Sequence, residues 1–181
     1  MTDAPKAPRY ALTQEYIRAT FSYEPATELV RWRVKSSRSI IIGQVAGTKT
    51  KNCKIQIRLD GHFYLAHHLV WLYVYGEQPK RLDHRDRNPS NNRLSNLRVS
   101  THMENQRNRG RQANNVSGYK GVIWHSGKWL AKICADGRHY NLGRFTFIED
   151  AARAYDEAAY QHHGEFACVN FPRKGERDAR T

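Results

Sequence analysis

The stretch LDHRDRNPSNNRLSNLRVSTHMEN, Leu82 to Asn105, decides the reading of this chain. It sets Asp83 beside His84, follows them with a polar turn over 88–92, and then brings a lone Asn96 and a final Asn105. Leu82 to His84 and Leu97 to Ser100 read as two short strands of a hairpin. Thr101 and Glu104 have capping-box spacing, so a helix is expected to begin there, with Asn105 in its first turns facing back toward Asp83. Any one of these Asx residues alone is an ordinary turn residue, because its side chain bonds nearby backbone. Their joint spacing ahead of a capped helix points instead to a site. One carboxylate and one amide oxygen leave most positions of a divalent cation to water and phosphate oxygens, which suits a hard, Mg²⁺-like ion. A neutral imidazole beside it can take a proton from water. Such a set matches metal-assisted hydrolysis of a phosphodiester.

Working back toward the N-terminus, Pro79 and Gly76 stop a helix whose apolar face is Leu69, Val70, Leu72, Tyr73 and Val74. Before it, Leu29 to Val34, Lys54 to Leu59 and His62 to Leu65 alternate like half-buried strands, with Asp60-Gly61 as a tight turn. A short helix is expected over 13–21, where Tyr16, Ile17 and Phe21 share a face. Residues 1–11 read as a loose tail. These elements form a β-rich platform that leads directly into the Asp83-His84 strand.

With those residues placed, the run resembles the HNH endonucleases of the phage and intron-encoded homing type. The matching positions are His67, the pair Asp83-His84, Asn96-Leu97-Arg98 and Asn105. The resemblance implies that Asp83 and Asn105 hold the metal, Mg²⁺ in first place and Mn²⁺ as the alternative. It implies His84 as general base and Asn96 as the residue that orients it, with His67 and Arg98 as active-site support. Many relatives carry His where this chain has Asn105, so one ligand here is an amide.

Downstream, the basic, polar stretch through Arg107, Arg109 and Arg111 to Asn115 reads as a linker able to follow a phosphate backbone. Three strands are then expected over 119–124, 128–134 and 138–145, joined by Ser126-Gly127 and Asp136-Gly137 turns. Ala151, Ala152, Tyr155, Ala158 and Ala159 recur at helical spacing, with Thr146 and Glu149 as a capping box and Gly164 as terminator. Strand parity places Lys128, Lys132 and Cys134 opposite Trp129, Ala131 and Ile133, the second set being core. Trp124, Trp129, Phe145 and Tyr155 are read as core aromatics.

This half resembles the ethylene-response-factor type of DNA-binding domain over residues 117–172. The resemblance is carried by Tyr119-Lys-Gly-Val122, Gly127-Lys-Trp129, Leu142-Gly-Arg-Phe145, the helix EDAARAYDEAAYQHHG and Val169-Asn-Phe-Pro172. It implies an exposed sheet face in the major groove, flanked by phosphate-binding Arg and Lys. Base-reading positions that carry Arg or Trp in the plant domains are here Ile123, His125, Lys132, Cys134, His139 and Asn141. Fewer guanidinium forks mean fewer bidentate guanine contacts, so binding leans on phosphate contacts from Lys120, Lys128, Arg138 and Arg144.

The charge supports a polyanion partner. The formal net charge is +13 over 181 residues, and between Arg85 and Arg144 twelve Lys or Arg face three Asp or Glu. A concentrated patch raises phosphate affinity through counterion release and steering. Double-stranded DNA is the expected partner, with no obligate protein partner and no membrane. Three isolated cysteines without a Cys-x-x-Cys argue against a disulfide framework or a zinc finger. The start lacks the apolar core of a signal peptide, and a cytoplasmic location in a bacterial host is expected.

The expected class is α+β: a platform plus a ββα-metal HNH motif in 12–108, a basic linker over 109–116, a three-stranded antiparallel sheet on one helix in 117–172, and a polar tail over 173–181. The leading function is a metal-dependent DNA endonuclease positioned by its C-terminal module. The alternative is a DNA-binding regulator whose HNH site has decayed, and the filled Asp83, His84, Asn96 and Asn105 positions favour the enzyme. An RNA-binding role fits the charge, but the stacking strip of common RNA modules is missing.

Overall fold

The computed structural model describes residues 12–173, so the expected tail 1–11 and all but the first residue of the expected tail 173–181 lie outside the described residues. The described residues divide into two compact units, 12–99 and 100–173.

In the first unit, helix α1 (Gln14–Thr20) is started by Thr13, whose hydroxyl accepts from the Tyr16 amide at 3.2 Å. It runs into strand β1 (Phe21–Glu24), which pairs antiparallel with β2 (Leu29–Trp32). A second sheet of order β3-β4-β5 joins Thr48–Lys49, Ile55–Leu59 and His62–Leu65. Asp60 and Gly61, with φ of 49° and 82°, make the two-residue turn whose twist suits a hairpin. Strand β5 passes straight into α2 (Ala66–Tyr75), which Gly76 ends in the left-handed conformation at φ 76°. The exposed carbonyls at its end are taken up by α1: Gln14 Nε2 donates to Tyr73 O and Val74 O at 3.1 Å, and Arg18 Nε donates to Tyr73 O at 2.8 Å.

Ile17, Phe21, Trp32, Ile57, Leu59, Leu69 and Val70 fill the core between these layers. The Phe21 and Trp32 rings lie 4.5 Å apart. The hairpin β6 (Leu82–His84) with β7 (Leu97–Val99) closes the unit, pairing Asp83 with Arg98 and His84 with Leu97. Strand β2 ends sooner than the alternation to Val34 suggests. The backbone around Trp32 turns to Gln44 O and Gly43 N as partners, and the chain bends away after it.

The second unit opens with α3 (His102–Arg107), whose capping box is reciprocal: Thr101 Oγ1 accepts from Glu104 N, and Thr101 N donates to the Glu104 carboxylate at 2.7 Å. The contact division after Val99 and the sequence boundary at 108 differ by the placement of this one short helix. Strands β8 (Val122–His125), β9 (Lys128–Ala135) and β10 (Arg138–Phe145) form an antiparallel sheet in that order, and α4 (Ile148–His163) packs across it. Both turns have φ > 0 at both central residues, Ser126 and Gly127 at 48° and 79° and Asp136 and Gly137 at 51° and 76°.

Alanines 151, 152, 158 and 159 let the helix approach the sheet closely. Gly121, just before β8, also lies so close to the helix that an added Cβ would run into the Tyr155 ring. Asn170, fully buried, stitches the unit shut. It accepts from Lys120 N at 2.7 Å, donates to Lys120 O at 3.1 Å and to Asp156 Oδ1 at 3.0 Å, and its own amide donates to Asp156 Oδ1 at 2.7 Å.

Two local expectations are corrected. The cap of α4 is Phe147, with no side-chain cap bond, not Thr146; Glu149 and Asp150 supply the favourable charge in the first turn instead. Trp124 is 56% exposed and is not a core aromatic. Its pairing opposite Trp129, ring centroids 4.8 Å apart, puts it on the strand face predicted by parity. But β8 is an edge strand, so alternation sets the face without guaranteeing that anything covers it.

Candidate active site

The hairpin β6–β7 places Asp83, His84 and Arg98 within three residues of strand on each side, all buried. Arg98 reaches across to Asp83, with Nε 3.0 Å and Nη2 2.8 Å from the same oxygen, Oδ2. At 5% exposure each, the partners form a desolvated ion pair, so removing the arginine would strand a buried carboxylate. The guanidinium therefore holds the Asp83 side chain aligned.

His84 is oriented by a residue that the sequence reading took for a turn residue. Its Nε2 lies 3.1 Å from Asn92 Oδ1. An amide oxygen can only accept, so in the neutral ring Nε2 carries the proton and the basic lone pair is on Nδ1. Asn96, expected to orient His84, is committed elsewhere: Oδ1 accepts from Asp86 N at 2.9 Å, and Nδ2 donates to Asp86 Oδ1 at 2.9 Å and to Asn91 O at 2.8 Å. Asn91 Nδ2 adds a bond to Asp86 Oδ2 at 2.7 Å. Asn96 thus ties the ends of the 85–96 loop, and that loop presents Asn92 to the imidazole. Nothing in residue spacing separates Asn91 from Asn92, since both sit in a turn and only the loop's path aims one inward.

His67 is the second residue of α2, which starts directly from β5 at Ala66. Its ring meets His84 edge-on, centroids 4.9 Å apart at 81°. Burial first, then the neighbouring His84 and His68, push its pKa down to about 3, so it is neutral at physiological pH. His68 is lowered too, by burial above all. The Nδ1 of His67 is buried without a hydrogen-bond partner.

Asn105 lies on α3 in the second unit, half-buried. Among the described residues no group of three or more His, Cys, Asp or Glu forms a metal cage. A donor set of one carboxylate and amide oxygens fits a hard cation that keeps water and phosphate ligands, and does not fit a thiolate or poly-histidine metal.

The outer face of the β8–β10 sheet follows from the register: His125 opposite Lys128, Ile123 opposite Leu130, Lys132 opposite Asn141, and Cys134 opposite His139. A bulge between Asn141 and Gly143 shifts the alternation, which brings Arg144 onto this face opposite Leu130. Arg144 Nη2 also clamps the first turn, donating to His125 O at 2.9 Å and Ser126 O at 2.8 Å. Three expected phosphate ligands are placed differently. Lys120 Nζ donates to Arg107 O and Arg109 O at 2.7 and 2.6 Å and lies 6.0 Å over the Tyr155 ring, on the helix side. Arg107 pairs with Asp136 at 2.8 Å. Arg138 registers with Ala135, on the helix-side parity of the sheet, though it is exposed at the hairpin end. Arg109 and Arg111 are exposed.

A model of the HNH endonuclease family matches residues 64–107, the span that holds His67, Asp83, His84, Asn96 and Asn105. The chain is also 35% identical over 112 residues to Protein 3.8 of Escherichia phage T7, covering 58% of this chain and 92% of that protein. Residues 64–107 therefore carry an HNH endonuclease module. An uncharacterised HNH endonuclease of Acanthamoeba polyphaga mimivirus is 31% identical over 113 residues, 61% of this chain and 58% of that protein. The C-terminal region is similar to AP2/ERF transcription factors. Among them, dehydration-responsive element-binding protein 2A of Arabidopsis thaliana is 41% identical over 70 residues. That match covers 36% of this chain and only 20% of the plant protein, so the likeness is to one module.

Proposed function

We propose that this protein is a metal-dependent DNA endonuclease in which His84 is the general base and the outer face of the β8–β10 sheet positions the duplex. The observation that supports the reading is the His84–Asn92 contact: with Asn92 Oδ1 accepting from Nε2–H, Nδ1 is the nitrogen left to act as base, one residue from a buried carboxylate. Asp83 and, on the family resemblance, Asn105 would hold the divalent ion, Mg²⁺ in first place, which when bound supplies charge stabilisation at the scissile phosphate. The water proton passes to His84 Nδ1 as the water oxygen forms its bond to phosphorus, and the opposite ester P–O bond breaks onto a sugar oxygen. Asn92 fixes the tautomer, Arg98 holds Asp83, and neutral His67 packs against the His84 ring without placing a second cation beside it.

The sheet supplies Lys128, Lys132 and Arg144 for phosphates, with His125, His139 and Asn141 facing base edges. A small count of arginine forks makes affinity depend on phosphate contacts more than on base reading. The test is incubation of the full chain with supercoiled plasmid in Mg²⁺, Mn²⁺ or EDTA. Nicked or linear product in metal and none in EDTA is the expected result. Intact plasmid in every metal, with the duplex still bound, would leave a DNA-binding protein without nuclease chemistry.

A further inference from the structure

Between Arg31 and Arg58 the chain carries eight Lys or Arg and no Asp or Glu. None of these cations belongs to the site described above. The connection from β2 to β3 projects from this basic stretch with Ile41 71% and Ile42 63% exposed, and Val45 beside them 41% exposed. Single exposed aliphatics are common on soluble proteins, but a contiguous apolar tip set among cations is not their usual setting.

The tip is held rather than loose. Gln44 N donates to Ile41 O at 3.1 Å around Gly43, whose φ of 84° is that of the third residue in a type II turn. Gln44 Oε1 accepts from Ile41 N at 3.2 Å, and Gly43 N donates to Trp32 O at 2.7 Å. Arg31 Nη1 donates to Gly43 O at 3.1 Å, which seats a guanidinium at the base of the tip. Ile40, one residue earlier, packs into the core and anchors the loop. Lys35 and Arg38 are exposed on the same connection.

We infer that the 35–45 loop is a DNA wedge: Ile41 and Ile42 enter the minor groove and part a base step while Lys35, Arg38 and Arg31 hold the flanking phosphates, bending the duplex. The inference rests on DNA as the partner and adds a second contact, separate from the β8–β10 sheet. Charge decides the occupant, since a nucleic acid satisfies both the cations and the apolar tip, whereas a second copy of this basic chain would bring like charge to the same surface. Inserted aliphatic wedges pay for unstacking through the extra contacts that a bent duplex allows. The turn geometry means that little ordering is needed on binding.

The test uses the full chain in EDTA and a short mixed-sequence duplex with donor and acceptor dyes at its ends. Wild-type protein should raise energy transfer as the ends approach. Ile41→Ser/Ile42→Ser should lose that rise and bind about tenfold more weakly with an unchanged salt slope, because no phosphate contact is removed. Ile41→Leu/Ile42→Leu should keep the bend. Lys35→Gln/Arg38→Gln should lower the log-log salt slope by about two units. A serine variant that bends DNA like the wild type overturns the wedge, as does one that only converts a dimer to a monomer in sedimentation. Because nothing is cut in EDTA, an absence of nuclease activity leaves this result standing, and a wild-type nuclease whose serine variant still bends DNA sinks the wedge alone.

Discussion

On the proposed mechanism the chemistry turns on Asn92, whose Oδ1 lies 3.1 Å from His84 Nε2 and would leave Nδ1 as the basic nitrogen. Replacing it with alanine removes the acceptor at Nε2 and frees the ring to rotate or change tautomer. The expected effect is a bound-state cleavage rate about 10–100-fold lower with unchanged DNA affinity, read by single-turnover kinetics. Asn96→Ala acts differently, since it cuts the loop from Asp86 and Asn91 and should lower the melting temperature as well as the rate. His67 gives a pH signature. Its folded pKa of about 3 lies below the ordinary 6.5, so between those values the unfolded chain binds the proton that the folded chain refuses. Stability is therefore complete above pH 6.5 and falls as the pH drops through the window toward 3, by at most about 1.4 kcal/mol per pH unit for this one proton. His68 shifts in the same direction. Denaturant titrations across that range should show the loss, and His67→Phe should flatten it.

At the scale of elements, Gly121, just before β8, has φ 75° and no room for a Cβ against the Tyr155 ring. Gly121→Ala is expected to destabilise the second unit by about 3 kcal/mol, the combined effect of left-handed backbone and overpacking, measured by urea unfolding. Most of the elements were legible in the sequence because each carries its own punctuation. Asp60-Gly61, Ser126-Gly127 and Asp136-Gly137 mark three hairpins, Thr101 and Glu104 mark α3, and the spaced alanines mark α4. Strands β1 and β3 are not legible: Phe21, which opens β1, also fits the apolar face of the helix before it, and two residues of β3 are too short to show a period. The candidate site was legible in part. Asp83 and His84 come together with Arg98 through a register that the Leu-rich hairpin dictates. The role of Asn92 was hidden, because it depends on how the 85–96 loop crosses the imidazole and not on spacing along the chain. The bulge at Gly143 likewise moved Arg144 to the outer face against simple alternation.

For the whole molecule, with its net charge of +13, the proposed function gives DNA positioning to the outer sheet face and chemistry to a different set of residues. Neutralising Lys128, Lys132 and Arg144 together should weaken binding and reduce the log-log salt slope by about three units, while cleavage at saturating protein and low salt stays near the wild-type rate. Lys120→Ala should instead lower stability, because its ammonium is spent on the carbonyls of Arg107 and Arg109. The central claim is that His84, with Nε2 turned to Asn92, activates water through Nδ1. It is tested most directly by single-turnover cleavage of a labelled duplex in Mg²⁺ with saturating wild-type or His84→Ala protein, DNA affinity being measured in parallel. The account predicts a rate lower by at least about 10²-fold in the variant with affinity unchanged. Cleavage by His84→Ala at close to the wild-type rate, on DNA bound equally well, would contradict it.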